Sequence, residues 1–170
     1  MENIGGTLRG MYRDTLFNVE NKLVFDSGWI SNTIVDNGRI LLAAFMKGEQ
    51  NIGGINWMMV GKGLEVWGSS PEQPTTSLTN LENPYQNKVK INPVKDISYL
   101  DDENNKTNLP TRKLEVRAVL GQDFPEKDKT SDLREFGLFS KDLRMINCVR
   151  HPLIQKAASE TLIRVVRLFF

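Results

Sequence analysis

The chain has little of what most often does chemistry at neutral pH. Its 170 residues include one histidine, His151, and one cysteine, Cys148. A single cysteine excludes an intrachain disulfide framework. A nucleophilic Cys–His pair needs both side chains on one side of the backbone. These two stand three apart, and His151 precedes Pro152, which favours extended backbone. On a strand that spacing sends them to opposite faces, so Cys148, in the apolar run MINCV, reads as a small buried hydrophobe. Charge of one sign is equally scarce. The 22 basic and 21 acidic residues leave a net +1, without the basic excess that phosphate binding shows, so nucleic acid is not expected as the main partner. The scattered cations Arg150, Lys156, Arg164 and Arg167 are expected on solvated strand faces. Long apolar runs are missing too. The longest, ILLAAFM at 40–46, falls far short of the roughly 20 residues of a membrane span. The opening MENIGGTLRGMYRDTLFN has no apolar core or cleavage pattern of a secretory leader. The expectation is a chain made in the cytoplasm, without membrane insertion.

Ligand and catalytic motifs are also missing. Gly61-Lys62-Gly63 lacks phosphate-loop spacing and is followed by Leu64, so it reads as a turn closing a strand. The acidic run Asp101-Asp102-Glu103-Asn104-Asn105 has lysine and arginine where a calcium loop needs glycine and glutamate, and reads as a hairpin tip. Glu115 and Glu135 each adjoin a basic residue on an inferred strand, which suits cross-strand ion pairs better than a glycosidase carboxylate pair. No nucleophile elbow, zinc-ligand cluster or dinucleotide fingerprint is present. The sequence therefore predicts no catalytic residue, no metal and no cofactor: the chain is not expected to be an enzyme.

What is present is a globular composition, 39% apolar and 25% charged, in one domain's length of chain. Residues 1–170 are expected to form a single β-rich domain, with 1–20, which has no clean period, as an extended N-terminal arm. KLVFDSGWI (22–30) predicts a strand. DNGRILLAAFMKG (36–48) predicts the main helix, capped by Asp36 or Asn37, stopped by Gly48, and striped by Ile40, Leu41, Ala44 and Phe45. INWMMVGKG (55–63) predicts a strand, and 69–93 a long polar loop in which TSLTNLE makes one helical turn. VKDISYL (94–100) and KLEVRAVL (113–120) predict strands, the second with Leu114, Val116, Ala118 and Leu120 on one face. GQDFPEKDKTSD (121–132) is a charged loop, and REFGLFS, RMINCVR and ETLIRVVRLFF complete the set. The fold class is mainly β: an antiparallel β-sandwich or sheet with one main α-helix packed against it, α+β being the alternative. Trp29 and Trp57 are expected in the core, and Trp67, before Gly68-Ser69-Ser70, as an exposed contact residue.

Three segments in order carry a resemblance. MMVGKGLEVW (58–67) leads into the threonine-rich TSLTNLEN; LPTRKLEVRAVLG (109–121) follows; LREFGLFSKD (133–142) then runs into MINCVRHPLIQKAASETLIRVVRLFF (145–170). This order is similar to tail-associated structural proteins of tailed bacteriophages, of the collar and tail-fibre attachment type, and to proteins of phage-tail-like contractile injection systems. It covers roughly residues 55–170, and its marker residues here are Gly61, Gly63, Arg134, Glu135, Gly137, Leu138 and Phe139. No repetitive shaft or receptor-binding tip follows Phe170, so the resemblance implies an adaptor, collar or baseplate part of a virion assembled in the host cytoplasm. It implies tail, neck or baseplate partners and three-, six- or twelvefold copies. The residues point the same way: TLIRVVRLFF is apolar on both faces, and Phe169 and Phe170, with Trp67, are the candidate partner contacts in a homo-oligomer. From another class, a carbohydrate-binding β-sandwich using Trp67 is the alternative. LREFGLFS itself mixes charge and aromatics on both faces, so alternation does not say which face is buried.

Overall fold

Inward-facing apolar residues on nearly every strand gather the chain into one antiparallel sheet of eleven strands. The computed structural model describes residues 8–170. In chain order the strands are β1 (Arg9–Phe17), β2 (Leu23–Asp26), β3 (Ile30–Ile34), β4 (Ile55–Gly61), β5 (Pro84–Lys90), β6 (Ile97–Leu100), β7 (Lys106–Thr107), β8 (Lys113–Leu120), β9 (Ser131–Ser140), β10 (Asn147–Lys156) and β11 (Thr161–Phe169). Helix α1 spans Asp36–Lys47 and a short α2 spans Pro93–Asp96. The spatial order is β5-β4-β9-β10-β3-β1-β11-β8-β6-β7, with β2 beside β1. Only two residue pairs join β10 to β3, so the sheet is thinly laced there. Tyr12, Leu16, Val116, Leu162 and Val166 from one wing share a core with Met58, Val60, Phe136, Leu138 and Val149 from the other. That is the predicted β-sandwich or sheet with a helix.

The strand β9 answers the question its sequence poses: both of its faces are buried. Phe136 and Leu138 face the main core. Phe139 faces away, into a second cluster with Val35, Leu81, Met145 and Cys148, to which Trp57, Met59 and Leu78 add cover. The outer cover is the 69–83 segment, whose Leu78 and Leu81 lie over the sheet. Glu135 ties it down: its carboxylate accepts from the backbone N–H groups of Glu82 (2.9 Å) and Asn83 (2.7 Å). The residue expected in a surface ion pair is thus 1% exposed and consumed by a loop anchor. Gly61, opposite Glu135 in the ladder, leaves room for that carboxylate, which a Cβ would strike. Glu115 behaves as predicted, pairing across strands with Arg167 at 3.0 Å.

Several expectations need correcting. The extended arm expected over 1–20 is, from Arg9, a strand in mid-sheet paired with β11 along its whole length; residues 1–7 lie outside the described residues. KLVFDSGWI is two strands, broken at Gly28 (φ 66°). The 69–93 loop contains β5, and the first half of 94–100 is α2, because the Asn92 side chain accepts from the N–H groups of Val94 and Lys95. TSLTNLE forms no helix. Helix α1 ends at Gly48 (φ 76°) as expected, but its N-cap is Val35, with no side-chain cap bond. Of the expected stripe, Leu41 and Ala44 are buried, but Ile40 and Phe45 are exposed and Gly38 completes the buried face instead. The cause is close approach: a Cβ on Gly38 would stand 2.6 Å from the Ile146 carbonyl oxygen. The helix turns its small residues to the sheet and its large ones outward.

Gly137 meets a similar constraint. Where β10 leaves β9, the Asn147 side chain replaces the missing ladder partner, accepting from the Leu138 N–H at 2.7 Å. A Cβ at Gly137 would lie 2.6 Å from the Asn147 carbonyl oxygen. Gly137→Ala is expected to destabilise the fold by about 1–3 kcal/mol through overpacking, read as a lower midpoint in urea with unchanged slope. A loss below about 0.5 kcal/mol would show that the strand gives way freely at that point.

Candidate interaction surface

Asp14, Arg164 and His151 are turned inward and bonded to one another, with Arg164 Nη1 left without a partner among the described residues. Asp14 and Arg164, opposite each other across β1 and β11, are fully buried. Arg164 Nε donates to Asp14 Oδ1 at 2.7 Å and Nη2 to Oδ2 at 2.8 Å, the two-pronged geometry that a guanidinium and a carboxylate favour. Arg164 Nη2 also reaches His151 Nε2 at 3.2 Å, and His151 Nδ1 lies 2.7 Å from the Pro152 carbonyl oxygen. Since a guanidinium can only donate, Nε2 accepts, and the proton of a neutral ring sits on Nδ1. The guanidinium carbon lies 3.8 Å from the centre of the Phe136 ring, which is met edge-on by Tyr12 at 5.2 Å. Burial, with the Arg164 charge second, pushes His151 down to about 4. Both its nitrogens are occupied, leaving none for a substrate.

Arg164 and Lys156, expected on solvated faces, are therefore core residues. Lys156 is 1% exposed and its Nζ donates to the Gly121 carbonyl at 2.7 Å; burial lowers its pKa. Arg150 and Arg167 are half-buried, each lying on an indole: Arg150 on Trp67 at 4.6 Å and Arg167 on Trp29 at 4.1 Å. Trp57 is half-buried against the second core cluster, as expected in part, whereas Trp29 is half-buried and belongs to neither cluster, a correction to the sequence reading. Cys148 is buried on the opposite side of the sheet from His151, and burial, with Glu135 second, pushes its thiol up to about 12. Among the described residues no group of three or more potential ligands could hold a metal ion. No helix among them is long and apolar enough to cross a membrane.

The predicted contact residues fall in different places. Trp67 is half-buried rather than open: Arg150 covers one ring face, and its edge fills the space a Cβ on Gly63 (φ 58°) would need. That leaves less of the indole for a sugar to stack on. Arg134 braces the same turn, donating to the Lys62 carbonyl at 3.1 Å. Phe169 is half-buried beneath the Arg9 guanidinium at 5.0 Å. Phe170 is 43% exposed and stands on the rim of an apolar slot.

That slot is the feature sequence reasoning missed. It lies between α1 and the strand ends, has a volume of about 140 Å³, and is walled by Leu8, Leu41, Leu42, Phe45, Leu168 and Phe170 among others, all apolar. Beside it α1 presents Ile40, Phe45 and Met46 to solvent, Met46 at 90% exposure. The signal was present as the series Gly38, Leu41, Ala44, spaced at three with a small residue at each end. Read as the packed face, it would have turned Ile40 and Phe45 outward.

No protein-family model, curated protein or solved structure matches the chain.

The His151 environment generates a pH prediction. Its folded pKa (about 4) lies below the ordinary 6.5, so between these values the unfolded chain binds more protons and stability rises with pH. The contribution is complete above about pH 6.5 and lost as pH falls to about 4, on the order of 3 kcal/mol. Urea midpoints between those pH values should fall accordingly, and His151→Asn should flatten that part of the curve. An equal slope in wild type and variant would assign the acid sensitivity to other groups.

Proposed function

We propose that this chain is a non-enzymatic structural subunit of a tailed-bacteriophage particle. It would act as an adaptor or attachment part at the tail, neck, collar or baseplate, working by protein–protein binding. The observation that carries this reading is the apolar slot beside α1, where Leu42, Phe45 and Phe170 stand open to solvent around an apolar floor. A fold that turns a glycine–leucine–alanine face inward and leaves Ile40, Phe45 and Met46 outside gains nothing from them as a lone domain. Covered by a partner, a side chain of this size contributes roughly 1.5–3 kcal/mol. The ordered resemblance of 58–67, 109–121 and 133–170 supports the particle context. Its marker residues also have physical work within the fold: Glu135 anchors the covering segment, Gly61 admits the carboxylate, Gly137 admits the β10 backbone, and Leu138 and Phe139 serve two separate cores. The partners would be other tail, neck or baseplate proteins, with copies following the tail's three-, six- or twelvefold symmetry.

The test is incorporation. Particles purified from cells carrying the gene should contain the chain in fixed proportion to the major structural proteins. Phe45→Asp, on an exposed helix position, should keep the wild-type melting curve. It should lower incorporation at least tenfold, because seating a carboxylate against apolar walls costs several kcal/mol. Absence of the wild-type chain from particles would contradict the reading, as would undiminished incorporation of the variant.

A further inference from the structure

Strand β2 is out of keeping with the rest of the sheet. All four of its residues are exposed, and three are large and apolar: Leu23, Val24 and Phe25 at 53%, 52% and 40%. It pairs with β1 alone, so its other edge carries backbone donors and acceptors with no ladder partner among the described residues. The lane beyond it is open. β10 pairs with β3 at only two positions, then passes to the other wing with β9. A cleft of about 280 Å³ remains between Phe25 and Ile30 on one lip and Leu153 on the other. An apolar strand with a free edge is the feature that sheets ordinarily blunt with charge, proline or a covering segment. Here, among the described residues, no charge, proline or covering segment lies within Leu23–Phe25; the strand is short and carries one bulge, at Val24 opposite β1.

The residues around β2 say what would cover it. Lys22-Leu23-Val24-Phe25-Asp26 is self-complementary when laid antiparallel on itself about Val24. Lys22 of one copy then faces Asp26 of the other at both ends, Leu23 faces Phe25, and Val24 faces Val24. Opposite charges directly across a ladder stabilise it and like charges weaken it. Both charges now have exposed local partners, Lys22 with Glu20 and Asp26 with Arg13. Neither is committed to the core; Lys22 is free to serve the ladder, and Asp26 would share with it a carboxylate that already accepts from Arg13 and the Gly28 N–H. A two-fold axis generates this arrangement with one surface, the usual route to a symmetric dimer.

We propose that β2 is a homodimer edge: two copies of this chain pair antiparallel through residues 22–26, joining their sheets across a two-fold axis. The pairing uses a surface separate from the slot beside α1 and does not depend on the particle reading. A contact of five residues a side is small, so the dimer is weak and dependent on concentration.

Sedimentation equilibrium of the purified chain from about 1 μM to about 1 mM tests this. The mass should rise from one chain to two. Val24→Pro, which removes the backbone N–H at the centre of the proposed ladder, should weaken the dimer at least tenfold. Because that proline could also disturb β1, Lys22→Glu supplies a second test on an exposed side chain, placing like charges across the ladder with a similar loss. Phe45→Asp in the slot should leave association unchanged. A monomer at every concentration would overturn the proposal. So would a dimer indifferent to both Val24→Pro and Lys22→Glu, or one abolished by Phe45→Asp.

Discussion

The rest of the structure depends on one buried ion pair. Asp14 and Arg164 face each other across β1 and β11 with both side chains out of water. Removing two such charges from water costs several kcal/mol each, and only excellent geometry with further partners offsets it. The further partners lie in the other wing: His151 on β10 accepts from Arg164, and the Phe136 ring on β9 lies under the guanidinium. The backbone joins too, since the Asp14 N–H donates to the Ser27 hydroxyl and its carbonyl accepts from the Ser27 N–H. One residue pair thereby fixes the register of β1 against β11, the lane of β2, and the packing of the two wings.

The same pair explains what was legible in the sequence and what was not. β8 was readable because its inward residues Val116, Ala118 and Leu120 are all apolar. β1 was not, because its inward residues are Gly10, Tyr12, Asp14 and Leu16. A glycine and an aspartate at core positions erase a period-two signal, and the strand looks like an arm. β11 was readable as a strand, but Arg164 within it, and Lys156 at the end of β10, were misread as solvated. A buried charge reads as a solvated one until its partner is known, and the partner here is 150 residues away in sequence. The helix and its Gly48 stop were found, but its N-cap is Val35, and its buried face was half misjudged: hydrophobicity favours Ile40 and Phe45, while the Ile146 carbonyl admits only a glycine at position 38.

LREFGLFS was legible as a strand and opaque in its burial. It is covered on one face by the main core and on the other by residues 69–83, a segment whose composition says loop and nothing more. What makes that loop a covering is Leu78, Leu81 and the grip of Glu135 on two backbone N–H groups, a long-range contact that spacing cannot announce. Glu135, Asp14, Arg164 and His151 are in this way spent on holding the domain together. What it offers outward is apolar surface: the slot with Phe45 and Phe170, and the bare edge of β2.

The central physical claim is that Asp14 and Arg164 act as a unit rather than as two separate core residues. A double-mutant cycle in urea with Asp14→Leu, Arg164→Met and the double variant measures this directly. Each single change leaves one charge buried without its partner and should cost about 3–5 kcal/mol. The double change should cost less than the sum of the singles by about 2 kcal/mol or more. Single losses that add to within about 0.5 kcal/mol would contradict the account.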